Sequence, residues 1–170
     1  MAPITLAELA VRPIWVGWRH ETRDGKPTKV PYNSHTGRRA ECDNPSTWST
    51  HDEAAQWSAT KHADGVGLML CPVGDVRIGG VDLDTCRDPN TGDVAPWAQE
   101  VVDRFNTYTE ISPSQTGVKL FFTYANNDIP AINILFDGKR GRSFKNAPAG
   151  DRNLCRGPLL RCHQRADQLD

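Results

Sequence analysis

Asp82 and Asp84 are spaced two positions apart at the end of the run Ile78-Gly79-Gly80-Val81-Asp82-Leu83-Asp84, among β-branched and aliphatic residues. In a strand, that spacing sends both carboxylates to one face and turns Val81 and Leu83 toward a core. Two acids on one face repel each other unless a positive group lies between them, and divalent metal ions are a common solution. Mg2+ or Mn2+ suits such an all-oxygen site. An isolated D-x-D is equally the signature of a solvated strand end, so its weight rests on the residues around it.

A second stretch with chemical character is Pro113-Ser114-Gln115-Thr116-Gly117, followed by Val118 and Lys119. Hydroxyls and exposed amides in a turn, a glycine where the backbone bends or is closely approached, and a nearby cation are the parts of a phosphate-holding loop. A third group, Lys26, Lys29, Arg38 and Arg39, flanks the turn Asn33-Ser34-His35-Thr36-Gly37. Such a cluster can meet phosphates, and it can equally be a solvated basic surface.

The elements that must carry these residues follow from periodicity and punctuation. Residues 4–11 read as a short helix with Thr5 as N-cap and Glu8 completing a capping box. Residues 14–18 and 28–32 read as a hairpin around Asp24-Gly25-Lys26-Pro27. A helix follows Asn44-Pro45, with Trp48, Ala55 and Trp57 as buried anchors. Residues 65–70 and 76–83 read as a second hairpin, and 95–106 as a helix with Trp97, Val101, Val102 and Phe105 on one side. Strands at 108–112 and 118–124 flank the hydroxyl-rich turn. Alternating hairpins and helices predict an α/β chain in the broad sense, α+β, with a mixed, mainly antiparallel sheet and packed helices in one domain.

The 170 residues carry a formal charge of −1, so any contact with nucleic acid must come from local patches. The five cysteines are odd in number and lack paired spacing, which predicts free thiols and a cytoplasmic protein rather than a disulfide framework. Cys155 with Cys162-His163 matches no standard zinc spacing. No long apolar run predicts a membrane partner.

The order of the motifs is more specific than any one of them. W-V-x-W from Trp15, G-K-x-T-K-V-P-Y-N from Gly25, N-P-x-T-W from Asn44, D-G-V-G from Asp64, V-D-L-D from Val81 and Y-T-E-I-S-P-S-x-T-G-x-K from Tyr108 follow one another along the chain. From about Trp15 to Tyr124 this resembles the primase-polymerase domain of phage and plasmid replication proteins, within the archaeo-eukaryotic primase superfamily. The resemblance implies a nucleotidyltransferase that uses a DNA template and primer, nucleoside triphosphates and Mg2+ or Mn2+, with a fused or separate replicative helicase as a further partner. It assigns Asp82 and Asp84 to the motif that holds two divalent ions. Ser114, Thr116, Gly117 and Lys119 fall in the motif that contacts the nucleotide phosphates, and Lys26, Lys29 and Arg38 are the accompanying candidates for nucleic-acid or phosphate contact. Many members have a histidine where this chain has Lys119, which supplies a flexible point charge without a ring nitrogen.

The family's third motif, an acid within E-I-Y followed by R-Y-F-x-V-T-G, is not found in the chain as written. Asp137, within Phe136-Asp137-Gly138, reads as a turn residue rather than its replacement. Codons for residues 152–163, shifted by one base with free third positions, can spell E-I-Y-V-E-G-R-Y-F-A-V-T. The expected organisation is therefore a primase-polymerase-like domain at 1–145 and a non-native or disordered tail at 146–170 from a frameshifted or mis-assigned gene. Without the third acid, low or absent activity is expected. Two other readings compete: a non-catalytic nucleic-acid-binding remnant and, less favoured for want of H-x-H or H-D runs, a metal-dependent phosphodiesterase.

Overall fold

A computed structural model describes residues 4–130, which pack as two compact units, one ending at Cys71 and the next starting at Pro72. The expectations for 146–170, Asp137, Cys155 and Cys162-His163 lie outside the described residues.

The first unit opens with α1 (Leu6–Ala10). Thr5 and Glu8 form the expected capping box, each side chain accepting from the other's backbone N–H. The strands β1 (Trp15–Arg23) and β2 (Lys26–Tyr32) form an antiparallel hairpin. Its two-residue turn is Asp24-Gly25, both with positive φ (50° and 73°), the backbone twist that matches a tight hairpin. Pro27 and Pro31 are tolerated because β2 is an edge strand in the order β2-β1-β3, where β3 is Gly65–Leu68. The helix α2 (His51–Thr60), capped by Thr50 and Glu53, packs on β1 and β3. A Cβ on Gly17 would lie 2.3 Å from the Trp57 ring, so only glycine lets helix and strand approach this closely.

Three sequence expectations are corrected here. Ala54, not Ala55, is the fully buried alanine of α2, alongside Trp57 and Ser58. Residues 65–68 do not form a hairpin with 76–83: β3 pairs with β1, where its buried residues lie beside Trp15 and Val16. Hydrophobic content marks a strand but does not choose its partner. Cys71 and Cys86 are buried thiols, whereas Cys42 is disulfide-bonded, which departs from the expectation of free thiols throughout.

The second unit contains β4 (Pro72–Val73), β5 (Val76–Leu83), α3 (Pro96–Phe105), β6 (Thr109–Ile111) and β7 (Val118–Ala125). Its sheet runs β4-β5-β7-β6 and every pair is antiparallel. Val81, Val118 and Leu120 form a buried cluster with Cys86 and Ala98. The inward face of α3 is Ala98, Val101, Val102 and Phe105, the i, i+3, i+4, i+7 pattern, and Trp97 is 47% exposed against expectation. The apolar set beginning at Trp97 left the helix phase open by one residue; the small Ala98, wholly buried, takes the inward position.

The α+β expectation holds, with helices packed on antiparallel strands that divide between two sheets. Among the described residues, no helix is long and apolar enough to cross a membrane.

Candidate active site

In the second unit the acidic strand covers the expected range, Val76–Leu83, and so stops just before the second acid. Asp82 lies within β5, while Asp84 is an exposed turn residue followed by Thr85 at φ 53°. Strand alternation therefore orients Asp82 and Leu83, and the turn sets Asp84.

Across the ladder, Asp82 is in register with Lys119 of β7, and Lys119 is in register with Glu110 of β6. Directly paired residues project to the same face of a sheet, so an acid, a base and a second acid form one row over three neighbouring strands. The Lys119 ammonium is ion-paired with Asp82 Oδ2, its side chain only 12% exposed and that of Asp82 34%. Reduced solvent contact makes this pair stronger than a surface ion pair. Asp82 Oδ1 is buried and has no hydrogen-bond partner among the described residues. Glu110 is half-buried and accepts a long hydrogen bond from the Tyr108 hydroxyl at 3.4 Å.

The hydroxyl-rich turn is built around Ser112. Its carbonyl accepts from Gln115 N at 2.7 Å, its N–H donates to Gly117 O at 2.9 Å, and its hydroxyl accepts from Gly117 N at 3.0 Å. A chain of hydroxyls joins Ser112, Ser114 and Thr116 at 2.8 and 2.9 Å, with Ser114 exposed. A Cβ on Gly117 would lie 2.6 Å from Leu83 O and 3.4 Å from Asp84 Cα. The turn thus closes directly onto the end of the acidic strand, and Gly117 permits that approach. Arg87 straps it down: its N–H donates to Thr116 O at 3.0 Å and its Nη1 to Gln115 O at 2.8 Å. Burial, the largest influence, pushes the Cys86 thiol up, which makes it a packing residue rather than a nucleophile.

Asp82, Asp84, Ser114, Thr116, Gly117 and Lys119 all belong to this unit, and Lys26, Lys29 and Arg38 to the first. Lys26 begins β2, opposite Arg23. The Lys29 ammonium lies 5.4 Å from the Trp18 ring centre, a cation–π distance. Arg38 is exposed, while Arg39 is ion-paired with Glu21, which also accepts from the Tyr32 hydroxyl. The hydrogen bond from Tyr32, more than the Arg39 guanidinium, holds the Glu21 carboxyl below its usual range.

Glu110, Arg87 and Ser112 were not singled out from the sequence. Glu110 stands inside the Y-T-E-I-S motif, two residues before Ser112, so its presence was visible although its partner was not. No spacing rule links Arg87 to a turn more than twenty residues away. Among the described residues, no three His, Cys, Asp or Glu side chains gather closely enough to hold a metal ion.

No family model matches the chain. Over 104 residues it is 34% identical to a DNA primase-polymerase of Nitratiruptor phage NrS-1. The similarity supports a primase-polymerase domain. The matched stretch is 61% of this chain but 14% of the phage protein, so the chain spans only a small part of that relative. The antiparallel sheets and packed helices are consistent with a primase-polymerase-like core, in agreement with the order of motifs along the chain.

Proposed function

We propose that this chain is a DNA primase/polymerase-type nucleotidyltransferase domain of a phage or plasmid replication protein. The observation that carries the reading is the junction of two motifs: Gly117 lies against Leu83 and Asp84, and Lys119 is ion-paired with Asp82. A carboxylate pair and a hydroxyl-rich turn joined at one strand end are the parts required to receive a triphosphate.

The fit to a divalent ion rests on donor chemistry. Asp82 has one buried carboxylate oxygen without a hydrogen bond and the other against the Lys119 ammonium, which stands where a positive charge is wanted. Asp82 and Asp84 would hold Mg2+ or Mn2+ as hard-oxygen ligands, and the ions, when bound, supply neutralisation of phosphate charge and activation of a 3′-hydroxyl. The remaining roles belong to the chain itself. Ser114 and Thr116 donate hydroxyl hydrogen bonds to phosphate oxygens, and Lys119 adds the positive charge nearest the acids. Gly117 contributes close approach rather than a donor, because its N–H is already given to Ser112 Oγ. Lys26, Lys29 and Arg38 are proposed contacts to the phosphates of template or primer DNA. A fused or separate replicative helicase and a cytoplasmic setting complete the reading.

A non-catalytic, nucleic-acid-binding remnant is favoured by one observation: Lys119 is ion-paired with Asp82, so the chain itself supplies that acid with a counter-charge. Low activity would follow from that pair and from the absence of E-I-Y and R-Y-F in the chain as written. Extension of primed and unprimed templates with Mn2+ and nucleoside triphosphates separates the readings. Incorporation that disappears in Asp82→Asn supports the enzyme; DNA binding without incorporation supports the remnant.

A further inference from the structure

The row Asp82, Lys119, Glu110 poses a question that the acid pair alone does not. A divalent ion at Asp82 must compete with an ammonium already bound there, and that ammonium is largely shielded from water. Releasing it without another counter-charge would leave a poorly solvated cation, which is costly. Glu110 is in register with Lys119 on the side opposite Asp82, and its Oε1 is closed off from solvent like Asp82 Oδ1. Its side chain therefore lies on the same face of the sheet as both other members of the row. A lysine stem is long and flexible enough to exchange one cross-strand neighbour for the other while its backbone stays in the ladder.

We propose that Glu110 is a positioning residue that receives the Lys119 ammonium when a divalent ion takes Asp82. The exchange keeps Lys119 charged and on the reacting face, and offsets part of the cost of opening the ion pair. Glu110 acts through Lys119 and not as a ligand of the ion. The inference rests on the metal reading of Asp82 given above.

Calorimetric titration of the full chain with Mn2+ tests it, in the parent and in Glu110→Gln, Lys119→Met, the Glu110→Gln/Lys119→Met double variant and Asp82→Asn. Glu110→Gln is expected to weaken Mn2+ binding by roughly tenfold, within the range of coupling between neighbouring charged groups. In the Lys119→Met background the same change should have no effect, because no ammonium needs a new partner. Glu110→Asp, which keeps the carboxylate, should recover part of the loss and serves as the comparison if Glu110→Gln does not fold. Equal weakening with and without Lys119 would make Glu110 a direct ligand and overturn the proposal, as would no weakening in either background. Unchanged Mn2+ binding in Asp82→Asn would remove the metal reading and this inference together; loss in Asp82→Asn with none in Glu110→Gln would remove this inference alone.

Discussion

Lys119 changes what should happen when Asp82 is altered. From sequence, the two aspartates repel, and neutralising both should leave stability unchanged or slightly raised. In the structure Asp82 is the ion-pair partner of a lysine only 12% exposed, so Asp82→Asn removes an attraction instead. Urea denaturation should show a loss of about 1–3 kcal/mol for Asp82→Asn, the usual size of a lost charge-assisted contact. Asp84→Asn, at an exposed turn position, should stay within about 0.5 kcal/mol. On the proposed function, either change removes divalent-dependent binding of nucleoside triphosphate, and an unaltered calorimetric titration would rule out the metal role. Lys119→Ala should weaken triphosphate binding more than monophosphate binding, since a cation gains most where phosphate charge is densest. Equal losses for the two ligands would mark the lysine as structural only.

Among the elements, the turn between β6 and β7 depends on glycine at position 117. Gly117→Ala forces a Cβ to within 2.6 Å of a backbone carbonyl of β5, an atom that cannot move aside without shifting the strand. The cost should be about 1–3 kcal/mol. Triphosphate affinity should fall further than stability alone explains, read by comparing unfolding midpoints with nucleotide titrations. The helix α2 offers a test that does not involve the site. Thr50 supplies its N-cap, and Thr50→Ala should lower stability by about 1 kcal/mol at neutral pH. The Glu53 carboxyl is held below its usual range, first by the hydrogen bond from the Thr50 backbone and then by that from its hydroxyl. A depressed folded-state pKa gives stabilisation that is complete above the unfolded value and lost as pH falls through the folded one. The gap between parent and Thr50→Ala should therefore narrow below about pH 4, where Glu53 protonates and its half of the capping box is lost. Thermal melts of both proteins across that range check it.

For the molecule as a whole, activity turns on the third acidic motif. The sequence expectation attributes its absence to the reading frame, and the residues concerned lie outside the described part of the chain. A gene re-encoded so that 152–163 read E-I-Y-V-E-G-R-Y-F-A-V-T should yield metal-dependent nucleotide incorporation where the chain as written yields little. The two proteins are compared in one extension assay. Equal activity would show that the third acid is dispensable, and natural codons that cannot encode those residues in the shifted frame would end the account at its source.

What the sequence determined by itself was local. The Thr5–Glu8 box, the Asp24-Gly25 turn and the extent of α3 each depend on residues a few positions apart, and motif order along the chain pointed to the primase-polymerase resemblance that the phage relative supports. Helix phase was already less legible, because Trp97 and Ala98 both fit an apolar stripe and only packing against the sheet chose between them. Pairing between strands distant in sequence was decided by tertiary structure alone. Nothing within 65–68 says that it joins β1, and nothing near Asp82 says that Lys119 and then Glu110 lie beside it. Backbone ladders are non-local, and their register follows from the simultaneous burial of several apolar faces. The residues able to do chemistry were therefore visible one motif at a time, whereas the charge balance among them required the folded sheet.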